Sequence, residues 1–126
     1  MLSVPRSQPR LRLKRATLLL PDIRHAVKRD THVVTVRGEL DIYSSSSLED
    51  ELRKVKGSVR LVVDFSECRY IDSSVITVLI HARKQRPNMR VVAALNGQVR
   101  KILTMTNLSN AIPVMATIEE AEKLGA

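Results

Sequence analysis

The sequence is poor in aromatics. It has one Phe, two Tyr and no Trp among 126 residues. Any core must therefore be aliphatic, and a surface that stacks on unpaired nucleic-acid bases has almost nothing to be built from. Cysteine is as scarce. Cys68 is alone, so no intramolecular disulfide can form. With only three scattered His, no zinc-ligand spacing appears. No apolar run approaches the roughly 20 residues that a bilayer-spanning helix needs. The opening MLSVPRSQPRLRLKRATLLLP has its basic and apolar parts in the wrong arrangement for a secretory signal, with no small-residue cleavage site after the Leu run. These absences together predict a reduced, cytoplasmic protein without membrane insertion.

What is present is 44% hydrophobic residues, enough for the core of one domain of ordinary size. The net charge of +8 is unevenly placed. Arg6, Arg10, Arg12, Lys14 and Arg15 lie in residues 1–21, which hold no acid, leaving 16 cations against 13 acids in the rest. Pro5, Pro9 and Pro21 discourage regular structure there. Residues 1–21 thus read as a basic, flexible arm and 22–126 as one globular domain. The arm allows a nucleic-acid-associated function, although a solvated tail accounts for it as well.

From Asp22 the pattern alternates. Ile23 to Lys28 and the Val33, Val34, Val36 segment read as a hairpin turned at Asp30-Thr31. Ser46-Ser47-Leu48-Glu49 has the form of a capping box, opening a helix with Leu48, Leu52 and Val55 on one face and Gly57 beyond its end. Leu61-Val62-Val63 reads as a strand covered on both faces. Ser73 to Gln85 reads as a largely buried helix closed by Pro87-Asn88. Met89 to Leu95 is a further strand, and Val99, Ile102 and Leu103 stripe a third helix. Ile112 to Met115 forms a last strand. Thr117-Ile118-Glu119-Glu120 is a second capping box, for a terminal helix. This order predicts an α/β fold: a mixed, mostly parallel sheet of about five strands with about four helices and an antiparallel first hairpin.

Functional loops of such sheets gather beyond the carboxyl ends of the strands. Asp41, Asp64 and Asp72 are expected near there. A magnesium site for phosphoryl chemistry is the weaker reading of these acids, because no phosphate-binding loop accompanies them. The stronger reading centres on Asp72-Ser73-Ser74. Asp72 or Ser73 would cap the helix that follows, where free backbone N–H groups and the positive end of the dipole also suit a phosphate. Phosphorylation adds about −1.5 to −2 charges and can repel a partner without refolding the domain. His81 is expected to be buried or half-buried and structural, and Cys68 to pack in the loop before the site. The Ser44–Ser47 run is a further phosphate acceptor by composition, and Arg83, Lys84 and Arg86 suit the solvated end of a helix.

The chain resembles the STAS family, typified by bacterial anti-sigma factor antagonists, from about Val33 onward. The resemblance is carried by Gly38-Glu39-Leu40-Asp41, Val62-Val63-Asp64-Phe65-Ser66 and Tyr70-Ile71-Asp72-Ser73-Ser74. Asn96-Gly97, Leu103-Thr104-Met105-Thr106-Asn107-Leu108 and Ile118-Glu119-Glu120-Ala121 follow in the same order. It implies a non-enzymatic switch with no cofactor, metal or small-molecule substrate. Its partner would be an anti-sigma factor that is also a serine kinase, and docking on it would release a sigma factor. Phosphorylation is implied at Ser73, with Ser74 as runner-up, and partner contacts at Asp41, Asp72, Ser74 and Val75. The family pattern has glycine where this chain has Val75. That departure keeps open a second reading, a STAS domain without the switch that serves as a subunit of a transporter or signalling assembly. The sequence is compatible with a monomer or a dimer.

Overall fold

The computed structural model describes residues 21–57 and 59–123, so the basic arm lies outside it except for Pro21. Among the described residues there are five strands: β1 (Asp22–Lys28), β2 (Thr31–Leu40), β3 (Arg60–Ile71), β4 (Arg90–Val92) and β5 (Val114–Met115). Four helices accompany them: α1 (Ser45–Arg53), α2 (Ser73–Gln85), α3 (Gln98–Met105) and α4 (Ile118–Lys123), with a 3₁₀ turn at Leu108–Asn110. The sheet order is β1-β2-β3-β4-β5. β1 and β2 are antiparallel and every other neighbouring pair is parallel, as the order of elements predicts.

The two faces of the sheet are unequal. On one, Val34, Val36, Val63 and Phe65 meet Leu48 and Leu52 of α1, Val75 and Leu79 of α2, and Val99 and Leu103 of α3. On the other, Val33, Val62 and Val92 are covered by Ala121 of α4. Each large aliphatic side chain buried this way contributes roughly 1.5–3 kcal/mol. Phe65 sits in this core, whereas both tyrosines are exposed.

Several local expectations are corrected. β3 runs far beyond Leu61–Val63, because β2 stays paired with it as far as Leu40 opposite Ile71. The ladder survives two register shifts, the second at Gly38, whose φ of 93° is a conformation glycine adopts without a Cβ penalty. Asp64 is therefore not at a strand end. It lies within β3 at 2% exposure, accepting from Ser66 N–H at 2.9 Å. Cys68 is likewise a buried strand residue and not part of a loop; burial pushes its thiol pKa up. β4 and β5 are shorter than the apolar runs that mark them.

At the end of α2, Arg86 is buried and not solvated. It donates to the carbonyls of Leu52 and Val55 at the end of α1, where free carbonyls and the negative dipole end favour a cation. Arg83 donates to Met89 O. His81, in contrast, is exposed. The second capping box forms as expected: Thr117 Oγ1 accepts from Glu120 N–H at 3.2 Å, and Glu120 Oε1 accepts from Thr117 N–H at 3.3 Å.

Candidate functional site

β2 and β3 end side by side, and the pairing continues for one residue as Asp72 N–H donates to Leu40 O at 2.9 Å. Asp41 and Asp72 are consequently the first residues off two adjacent strands. Each begins a turn that leads into a helix, and each caps that turn differently.

Asp72 is the N-cap of α2. Its backbone is extended (φ −92°, ψ 162°) and its Oδ1 accepts from Ser74 N–H at 2.8 Å. Ser73, the first helical residue, is exposed. Ser74 turns inward, and its Oγ is buried without a hydrogen-bond partner. Val75 is 0% exposed and belongs to the main core. The three residues after Asp72 thus have distinct surroundings, and only Ser73 offers a hydroxyl to solvent. At the runner-up position, Ser74, the hydroxyl oxygen is buried. Val75 shapes the start of α2 by packing in the main core.

Asp41 is used internally. Its Oδ1 accepts from Tyr43 N–H at 3.0 Å, Ser44 N–H at 2.9 Å and Ser44 Oγ at 2.8 Å. Ser44 Oγ in turn accepts from Asp41 N–H at 2.9 Å. This reciprocal pair closes the turn before α1 in place of the expected Ser46–Glu49 box, since α1 starts at Ser45 with Ser44 as its N-cap and no side-chain capping bond. The bond from the Ser44 hydroxyl, assisted by the backbone donors, holds the Asp41 carboxyl below its ordinary range. The turn leaves Ile42 at 62% and Tyr43 at 89% exposure, beside the strand end that leads to Ser73. These two apolar residues escape a reading that looks for charged and hydroxyl groups. Their available signal is a large apolar pair inside a capping turn.

Asp64 does not join Asp41 and Asp72, since it sits seven residues of strand before Ile71. Among the described residues no group of three or more His, Cys, Asp or Glu side chains is placed to hold a metal ion. No helix among them is long and apolar enough to cross a membrane.

The sequence from 23 to 117 matches the family model described as "Mlab, STAS domain". The chain belongs to the STAS family. The anti-sigma-B factor antagonist of Listeria monocytogenes is 31% identical over 94 residues, covering 69% of this chain and 82% of that protein. The anti-sigma-B factor antagonist of Listeria innocua matches to the same extent, 31% over 94 residues. Among solved structures, an anti-sigma factor antagonist from Mycobacterium paratuberculosis superposes with a TM-score of 0.73 at 23% identity, over 81% of this chain and 91% of that one. Bacillus SpoIIAA in its phosphorylated form gives 0.57 at 20% identity, over 80% and 96%. These structures share the STAS fold with this chain, and the two Listeria relatives are anti-sigma-B factor antagonists.

Proposed function

We propose that the protein is an anti-sigma factor antagonist, and that phosphorylation of Ser73 turns it off. In the unphosphorylated state it would dock on an anti-sigma factor in the cytoplasm and so free a sigma factor. The anti-sigma factor, acting as a serine kinase, would transfer a phosphoryl group to Ser73 Oγ and lose its grip. The observation that carries this reading is the contrast within one turn: after Asp72, Ser73 is open to solvent while the Ser74 hydroxyl is sealed.

The surroundings support it chemically. A phosphate on Ser73 stands at the N-terminus of a 13-residue helix, where backbone N–H groups tolerate it, so the fold survives. The added charge of about −1.5 to −2 falls beside the carboxylates of Asp72 and Asp41. It also falls next to the turn exposing Ile42 and Tyr43, the natural apolar anchors for a partner. A docked surface that accepts an uncharged serine there meets a cluster of negative charge after transfer. The protein itself supplies no catalytic group to the reaction.

The test is direct. Intact mass of the protein from its native host, with and without phosphatase, should show a phosphate, and fragmentation should place it on Ser73. Ser73→Ala should accept none and hold the anti-sigma factor constitutively, and Tyr43→Ser should weaken docking about tenfold, or ~1.4 kcal/mol. Equal binding of the anti-sigma factor before and after stoichiometric phosphorylation would overturn the mechanism. A protein unmodified in both growth and stress would favour the non-switching subunit, a reading supported by Val75 in the place of glycine.

A further inference from the structure

On the far side of the sheet from β1, α3 carries a feature that the Ser73 switch does not use. Leu95, just before the helix, is 68% exposed, and Met105, its last residue, is 76% exposed. Neither exposure follows from the helix pattern, whose inward positions are filled by Val99 and Leu103. Between the two lies an open depression of about 490 Å³, also lined by Arg100 and Lys101. Arg100 is fixed in place, donating to Ala93 O at 2.8 Å from Nη2 and 3.3 Å from Nε. Among the described residues no acid lines the depression. The surrounding sequence is as one-sided: from Ser73 to Ile118 there is no Asp or Glu, against six Lys and Arg. Past Leu95 the surface continues into a second depression bounded by Met115 and Lys123. The acid there, Glu120, is occupied by the N–H groups of Ala116 and Thr117.

We propose that this α3 face is a second docking site, for an acidic segment of a partner protein that carries apolar side chains to cover Leu95 and Met105. Two large apolar groups in water on either side of Arg100 and Lys101 favour an occupant that is both apolar and negatively charged. The chain's own N-terminal arm does not fit, because it carries five cations and no acid. Leu and Met also lack the flat π-faces that a nucleic-acid base would need. The site stands apart from the Ser73 switch: its failure leaves the switch intact, and failure of the switch leaves the site.

The test is amide NMR of the full chain titrated with a short synthetic peptide of Asp, Glu, Leu and Phe at helical spacing. Saturable shifts at residues 95–105, weakening as salt rises, are expected. Leu95→Ser and Met105→Ser should each weaken binding about tenfold, and Lys101→Glu at least as much, while Lys56→Glu, in an exposed loop, stays within about twofold. The first two sites are exposed, so the fold tolerates both changes. Shifts centred elsewhere, or equal binding of a peptide with its acids replaced by lysines, would overturn the proposal. So would self-association that covers this face without peptide, or saturation of the face by duplex DNA or anionic vesicles but not by the peptide.

Discussion

Two turns leave adjacent strands of the same sheet, and both begin with an aspartate whose carboxylate accepts backbone N–H groups ahead of a helix, yet one is closed and the other open. At Asp41 the carboxylate gathers three donors and its serine, Ser44, is buried in a reciprocal bond. At Asp72 the carboxylate takes the single N–H of Ser74, and Ser73 is left facing solvent. The difference is one of spacing. With two residues between acid and serine, the hydroxyl folds back on the cap. With the serine directly after the acid, it points away from the cap and stays available. The closed turn spends its polar groups on structure and exposes apolar side chains, whereas the open turn keeps a reactive hydroxyl. A switch built from both divides the work between an anchor and a modifiable residue.

Breaking the closed turn should have the largest effect. Asp41→Ala removes the acceptor of Tyr43 N–H, Ser44 N–H and the buried Ser44 hydroxyl in the turn before α1, an expected loss of about 2 kcal/mol in denaturant unfolding. Asp72→Ala removes one capping bond, with an expected loss of about 1 kcal/mol. Equal losses would erase the distinction between the turns. Acid titration sharpens it further. The folded Asp41 pKa is depressed from an ordinary 3.8, so its stabilisation is present above that value and is lost as pH falls through the lower folded value. Stability measured from pH 5 downward should therefore fall less steeply in Asp41→Ala than in the unchanged protein. Glu51, held down by the Lys54 ammonium and then by His25, keeps a residual slope of the same sign in both. His32 acts in a separate window. Its pKa is lowered by burial and by the charges of His25 and Arg86, so its contribution is lost as pH falls through 6.5 toward that lower folded value.

Where structure depends on neighbours in sequence, it was legible. The span of α2, its Asp72 cap and the Thr117–Glu120 box rest on bonds reaching only a few residues. The length of β3 was not legible, because past Phe65 the exposed pairs Ser66-Glu67 and Arg69-Tyr70 break strict alternation, a consequence of register shifts against β2. Arg86 reads as a solvated helix end, and its true acceptors, Leu52 O and Val55 O, lie more than thirty residues away. At the candidate site, the Asp72 cap was readable from residue order, and the proposed role of Ser73 rests on family resemblance. The inward turn of Ser74 and Val75 was not, since helix phase alone does not say which side of α2 meets the sheet. The four-serine run offered several caps, and only packing selects the one used.

The smallest expected effect isolates the open turn. Ser74 Oγ is buried with no partner, so the folded protein pays desolvation of a hydroxyl and gains no bond for it. Ser74→Ala removes that group while leaving the Ser74 N–H bond to Asp72 untouched, because the donor is backbone. Its expected change in unfolding free energy is about zero to 1 kcal/mol in the stabilising direction. Ser44→Ala at the closed turn has the opposite sign, since it deletes a hydroxyl that both donates to and accepts from Asp41. Two Ser→Ala changes at adjacent strand ends thus test one idea by sign. If Ser74→Ala destabilises as much as Ser44→Ala, the Ser74 hydroxyl has a partner in solution, and the sealed, idle serine beside an open Ser73 is the wrong picture of this turn.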